Sequence, residues 1–220
     1  MGIFRHPDGD TYKGEFLDDH ANGYGEYTHE NGAVYCGYWV NDTQCGIGLE
    51  TWNDQSSFFG NYVNGKKEGI GTYVWSDKTV YEGEWKNNFI HGFGIYKFSD
   101  GRIYRGQWEN NQMNGYGEFI WKEGKKYFGF YKKDKKNGFG IFFWPNDKFF
   151  CGFWKNGKQN GFGKFIKGNV VKFGFWKDGK KEFYFDDQKD FEDKMEEREQ
   201  KYLKILKYEL WQIKNFMNIE

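Results

Sequence analysis

The chain has 220 residues and no formal net charge, with 32 Lys+Arg against 32 Asp+Glu, 23% aromatic residues, 31 glycines and 2 prolines. So few prolines exclude collagen-like and polyproline structure, and the aromatic content with its strict periodicity excludes a disordered chain. Abundant glycine and aromatic residues, with little Ala or Leu, suit glycine-punctuated strands better than a helical globule.

The neutral total hides a segregation. Residues 1–121 carry 9 Lys/Arg against 17 Asp/Glu, residues 122–181 carry 16 against 4, and residues 182–220 carry 7 against 11. Such asymmetry steers charged partners or draws segments of one chain together. Cys36, Cys45 and Cys151 are an odd set without C-x-x-C spacing, which reads as a reducing, cytoplasmic setting. His6, His20, His29 and His91 lack ligand-like spacing, so neither a metal nor another cofactor is expected. No stretch reads as a signal peptide or a membrane-spanning helix.

In chain order, the first feature is a repeat that has already begun. Gly2 and Gly9 lie 23 residues before Gly25 and Gly32, so the chain opens in the second half of a unit. Either the first repeat is truncated or the chain is a piece of a longer array. The glycines of an aromatic-x-Gly signature then fall at 14, 37, 60, 83, 106, 129 and 152. G-x-G pairs follow at 23/25, 46/48, 69/71, 92/94, 115/117, 138/140 and 161/163. An eighth unit near Phe173-Gly174 has no such pair. Period-two alternation within each unit predicts two strands. In the unit YEGEWKNNFIHGFGIYKFSDG these are Tyr81–Lys86 and Gly92–Phe98, joined by a polar loop NNFIH and followed by the turn signal SDG.

The unit resembles the MORN repeat (membrane occupation and recognition nexus). Tyr12-Lys-Gly14, Tyr35-Cys-Gly37, Tyr81-Glu-Gly83, Tyr104-Arg-Gly106 and Tyr127-Phe-Gly129 carry the resemblance. Phe58, Phe150 and Lys172 depart from its tyrosine. The resemblance covers residues 1 to about 185 and implies about eight repeats in an all-β fold, an elongated single-sheet antiparallel array of hairpins.

One face of each hairpin holds the signature rings and glycines. Its columns read Phe16, Trp39, Tyr62, Trp85, Trp108, Tyr131, Trp154, Trp176 and Tyr27, Glu50, Tyr73, Tyr96, Phe119, Phe142, Phe165. Glycine lets neighbouring rings lie over the backbone, so core packing is the expected role. Glu50 breaks its column and marks a local defect or a contact site. The opposite face is mixed in early repeats (Lys13/Glu15, Cys36/Tyr38, Phe59/Asn61, Glu82/Glu84, Arg105/Gln107) and apolar later. There Phe128, Phe130, Phe139, Ile141, Phe153, Phe162, Phe173 and Phe175 form a candidate protein-interaction or helix-docking face, with Phe143 and Cys151 nearby.

Residues 186–220 form a separate region without glycine or proline, expected to be an amphipathic α-helix from about Lys189 to Asn218. Its apolar face comprises Tyr202, Leu203, Leu206, Leu210, Ile213, Phe216 and Met217. Three roles are open: folding back on the apolar sheet face, binding another protein or a second copy, or lying on a membrane. Fold-back accounts for tail and patch together.

Enzyme signatures are missing from the sequence: no G-x-G-x-x-G, no Walker loop and no nucleophile elbow. In enzymes that resemble this family a catalytic domain accompanies the repeats. Lys132, Lys133, Lys135 and Lys136 on one hairpin are candidate contacts to an anionic surface. Nucleic-acid binding ranks low, because the aromatic residues are committed to the repeat. The expected function is a non-catalytic scaffold with protein partners. The resemblance implies a cytoskeletal or ciliary axonemal setting, such as a radial-spoke-like complex, with self-association open. The alternative is a peripheral tether on anionic phospholipid.

Overall fold

The structure, a computed structural model, describes residues 1–195. Among the described residues the fold is all-β: an open antiparallel sheet of 17 strands, with one short helix after the last. It divides into two compact units, residues 1–124 with 131–134 and residues 125–130 with 135 onward. In unit 1 the strands are β1 (Gly2–Arg5), β2 (Thr11–Leu17), β3 (His20–Thr28), β4 (Val34–Val40), β5 (Thr43–Thr51), β6 (Ser57–Val63), β7 (Lys66–Val74), β8 (Val80–Lys86), β9 (Phe89–Lys97), β10 (Ile103–Glu109) and β11 (Gln112–Ile120). Strand β12 (Lys126–Lys132) contributes to both units. Unit 2 continues with β13 (Lys135–Trp144), β14 (Lys148–Lys155), β15 (Lys158–Lys167), β16 (Val170–Lys177), β17 (Lys180–Tyr184) and helix α1 (Gln188–Asp193).

The expected five-residue loop NNFIH is a two-residue turn. Asn87 and Asn88 occupy left-handed backbone (φ 48° and 68°), and Phe89, Ile90 and His91 belong to β9. Two positive φ values make a turn whose twist matches that of its flanking strands, and Asn, Asp and Gly tolerate it best. The extra residues are absorbed by a bulge between Gly83 and Trp85, where Gly83 faces Gly94 but Trp85 faces Ile90. The second turn residue also ties hairpins together. Asn111 Oδ1 accepts from the Ile90 backbone N–H at 2.7 Å, and Asn88 and Asp134 do the same for Lys67 and Met113. The column of Asn and Asp at this position is the sequence signal for that tie.

Signature glycines face one another across each hairpin, Gly14 with Gly25 and Gly83 with Gly94 in unit 1, Gly152 with Gly163 in unit 2. The signature ring of the same hairpin lies flat over the pair. A Cβ at Gly83 would sit 2.5 Å from both Gly94 Cα and Tyr81 Oη, so only glycine fits. The tyrosine hydroxyl donates to the carbonyl three residues on: Tyr81 to Glu84 at 2.9 Å, Tyr104 to Gln107 at 3.0 Å, Tyr127 to Phe130 at 3.2 Å. Three tryptophans of the column donate backwards, Trp39 Nε1 to Gly25 O at 3.3 Å and Trp85 Nε1 to Gly71 O and Trp154 Nε1 to Gly140 O, both at 3.1 Å. These bonds satisfy the polar ends of rings that are otherwise buried.

Helix α1 starts where the sequence predicts and ends at Asp193, with Lys194 as its C-cap. The Asp187 carboxylate accepts from the Asp190 N–H at its start (2.8 Å). Lys194 and Met195 are turn and bend, so the expected continuous helix from about Lys189 is interrupted there; its remaining residues lie outside the described ones, as do Tyr202, Leu203, Leu206, Leu210, Ile213, Phe216 and Met217.

Candidate interaction surfaces

The first face of the sheet is spent on packing. Tyr35, Tyr81, Tyr104, Tyr127, Phe58 and Phe150 are fully buried there, each edge-on to a neighbouring ring, as Tyr81 is to Trp85 at 5.4 Å. Glu50 is neither a defect nor a free contact. Its carboxylate accepts from Tyr62 Oη at 2.8 Å and pairs with Lys67 Nζ at 2.9 Å. The same ammonium lies 4.9 to 5.5 Å from the ring centroids of Phe58, Trp52 and Tyr62. Burial and the Glu50 charge push the Tyr62 hydroxyl far above its usual range.

Lys136 occupies the same repeat position in unit 2. Its ammonium lies over Trp154, Phe142 and Tyr127 at 4.5, 4.6 and 5.3 Å, and burial lowers its pKa to about 8. The four candidate surface lysines therefore separate. Lys132, Lys133 and Lys135 are exposed, whereas Lys136 turns onto the aromatic face. Its alkyl stem and weak solvation in that setting suit ring contact better than a lipid headgroup.

The second face differs between the units. In unit 2 two apolar clusters lie on it. Phe139, Ile141 and Cys151 form one, with Phe143, Phe149 and Phe153 packed against them. Strand pairing brings them together: Phe139 faces Phe153 and Ile141 faces Cys151. Phe128 meets Phe143 edge-on at 5.7 Å, while Phe130 is partly exposed. The other cluster comes from chain beyond the repeats. Phe185, Phe191 and Met195 are buried against Phe153, Phe162, Phe173 and Phe175. The Phe191 centroid is 5.0 Å from Phe173 and 5.8 Å from Phe162, and the Phe185 N–H donates to Phe173 O at 2.9 Å. Burial pushes the Cys151 thiol up to about 12.

In unit 1 the second face carries exposed apolar residues that the sequence reading passed over in favour of later repeats. Tyr24 and Tyr38 meet edge-on at 5.6 Å, and Ile47, Leu49, Phe59 and Ile70 project from the adjacent strands β5 to β7. Acidic residues flank this row. Glu15 precedes it, Glu26 stands beside Tyr24 within it, and Glu82 and Glu84 follow, Glu82 paired with Lys97 at 2.9 Å. The Glu84 carboxylate accepts from the Phe93 N–H at 2.7 Å. The signal was legible, because Tyr38, Leu49 and Phe59 stand at strand positions that alternate away from the signature rings. A cavity of about 420 Å³ near this row is lined by Glu84, His91, Phe93, Gln107, Trp108 and Asn114. The buried His91 Nδ1 and Trp108 Nε1 have no hydrogen-bond partner. Among the described residues no group of His, Cys, Asp and Glu is placed to hold a metal ion, and no helix is long and apolar enough to cross a membrane.

Comparison with known proteins agrees with the repeat register. No curated protein matches the chain. Among solved structures, the TCP domain of SAS-4 (dCPAP) of Drosophila melanogaster, in complex with a proline-rich motif of Ana2 (dSTIL), aligns at 10% identity over 80% of this chain and 89% of that chain, with a TM-score of 0.45. The TCP10 domain of Danio rerio CPAP, in complex with a peptide of STIL, aligns at 14% identity over 83% and 92%, with a TM-score of 0.41. The family model for the MORN repeat matches residues 12–34, 35–57, 58–80, 81–101, 104–126, 127–148 and 150–169, and the chain belongs to the MORN repeat family.

Proposed function

We propose that the protein is a non-catalytic scaffold that binds protein partners through the second face of its repeat sheet. The observation that carries this reading is the exposed apolar row of unit 1: Tyr24, Tyr38, Ile47, Leu49, Phe59 and Ile70. Rings and aliphatic side chains contiguous in an open sheet, bordered by acidic residues, have the anatomy of an interface core with a polar rim. The strands beneath are held by glycine pairs, ring contacts and turn ties, so the surface is presented in a preformed state. The acidic border favours partners that bring basic residues around an apolar anchor.

The finer reading is a subunit of a cytoskeletal or axonemal assembly, in keeping with settings where similar repeat arrays occur. Affinity purification of the wild type beside the Ile47→Glu/Phe59→Glu variant tests the surface. Partners of the scaffold are lost from the variant while its sheet signal in circular dichroism is retained. Equal recovery of every partner from both proteins overturns the reading. Imaging of the tagged chain at the axoneme or another cytoskeletal structure tests the setting, and a uniformly diffuse signal counts against it. Flotation with anionic vesicles, reversed at high salt, would favour the membrane tether over the scaffold.

A further inference from the structure

The repeat supplies an internal control for burial. Ile47, Leu49 and Phe59 stand four repeats before Phe139, Ile141 and Cys151. The register is the same in both places: Leu49 pairs with Phe59, and Ile141 with Cys151. The first three are 49%, 41% and 56% exposed, and the second three are 8%, 3% and 1% exposed. Side chains on one face of a sheet stand roughly perpendicular to it, and neighbours in the same plane shield their flanks but not their tips. Larger neighbours in unit 2, Phe143, Phe149 and Phe153, close the flanks further. Burial this deep still needs a layer above the tips.

The described chain shows where such a layer begins. Phe185, Phe191 and Met195 already lie on this face, and Phe153 touches both their cluster and that of Cys151. The chain therefore leaves Met195 at the border of the Cys151 cluster, with 25 residues still to place. Among those residues Leu203, Leu206, Leu210, Ile213 and Met217 recur at alternating intervals of three and four. Such spacing presents one apolar stripe. Glu196, Glu197 and Glu199 come before it, and Lys164 stands beside Cys151 on the sheet.

We propose that residues 196–217 of this chain cross the second face of unit 2 and form the layer over Phe139, Ile141 and Cys151. As a helix, 22 residues would reach about 33 Å. The face from β16 to β12 is four strand spacings, about 19 Å, so the segment is long enough to cover it. The chain's own tail then occupies on unit 2 the same kind of surface that unit 1 leaves open. It also defines the chemistry that such a face accepts, an amphipathic segment with apolar residues three and four apart.

The test uses the three cysteines as reporters. The full-length protein is pulsed with N-ethylmaleimide and labelling is followed by peptide mass spectrometry. Cys36 and Cys45 are partly exposed and serve as controls within unit 1. In the wild type Cys151 labels about tenfold or more slowly than they do, in keeping with a buried thiol. The Leu206→Glu/Leu210→Glu variant, and a chain ending at Met195, raise the Cys151 rate about tenfold and leave Cys36 and Cys45 unchanged, which marks a local opening. Lys204→Glu/Lys207→Glu, off the apolar stripe, leaves all three rates as in the wild type. Unchanged Cys151 protection in both tail variants overturns the proposal, because the cover is then not the tail. Protection that disappears on dilution of the wild type also overturns it, in favour of a second copy as the cover.

Discussion

Units 1 and 2 each have a first face of the same kind and differ in the second. In both, rings over paired glycines make a closed aromatic layer. On the other side, unit 1 presents Ile47, Leu49 and Phe59 to solvent, whereas the same repeat positions in unit 2 are buried. Position within the repeat therefore determines which way a side chain points, and not whether it is covered. Apolar character alone cannot distinguish an interface from a core, because both keep the same kinds of side chain out of water.

The largest effect should come from removing the cover that the structure describes. Phe191→Ala empties the centre of the cluster under α1 and should cost about 3–5 kcal/mol, read as a lowered midpoint in urea. Phe59→Ala in unit 1 should cost less than about 0.5 kcal/mol, as an exposed position does. Equal losses at the two sites would erase the contrast between the faces.

The next effect should be the same in both units. Gly94→Ala and Gly163→Ala each drive a methyl group into the ring over the glycine pair, Tyr81 and Phe150 respectively. Each should lower stability by about 3 kcal/mol, as overpacking a tight site does. A harmless substitution in one unit alone would show that the first faces are not equivalent.

The buried lysines sharpen the comparison further. Lys67→Met leaves Glu50 without its ammonium and should destabilise unit 1 by about 1–3 kcal/mol. Lys136→Met removes a cation that burial disfavours, together with its contacts to three rings, and relative to the wild type should be about 1–3 kcal/mol more favourable at pH 7 than at pH 10. The folded-state pKa of Lys136 is lowered from 10.5 to about 8. Between these values the unfolded chain holds more protons than the folded one, so stability rises with pH across that window. The penalty is fully present below pH 8, and the advantage of Lys136→Met should fade as pH rises toward 10.5. Urea titrations of both variants at pH 7 and pH 10 check the sign. A pH-independent gain would remove ionisation as the cause.

The smallest effects concern turns between repeats in unit 1. Gln55 and Lys78 adopt φ values of 68° and 70°, where the equivalent positions of other repeats hold Gly9, Gly32 and Gly101. Gln55→Gly and Lys78→Gly should each stabilise the protein by up to about 1 kcal/mol, since glycine adopts this backbone without steric cost. Thermal melts measure it, and a lowered melting temperature would mean that the lost side-chain contacts outweigh the relieved strain.

Much of this molecule was legible in advance because its determinants are local or periodic. The 23-residue register located the signature glycines from Gly14 to Gly163, with Gly174 one residue out of step, and period-two alternation put Phe139 and Ile141 on the side opposite Tyr127 and Phe142. The loop NNFIH was misread because polarity suggested a long connection, whereas paired positive φ angles at Asn87 and Asn88 allow a turn of two residues. Glu50 was misread because its partners, Tyr62 and Lys67, stand 12 and 17 residues away. Nothing in the sequence marked Lys136 as different from Lys132, Lys133 and Lys135 except its identity of position with Lys67.

By itself, then, the sequence determined the repeat, the strands and the face on which each side chain emerges, since backbone sterics and a fixed period act over a few residues. Only the tertiary structure decided which apolar positions are covered. That depends on where residues 185–195 come to rest, and on contacts such as Phe191 with Phe162, 29 positions apart. No local pattern specifies contacts of that kind; their free energy comes from removing both partners from water at once.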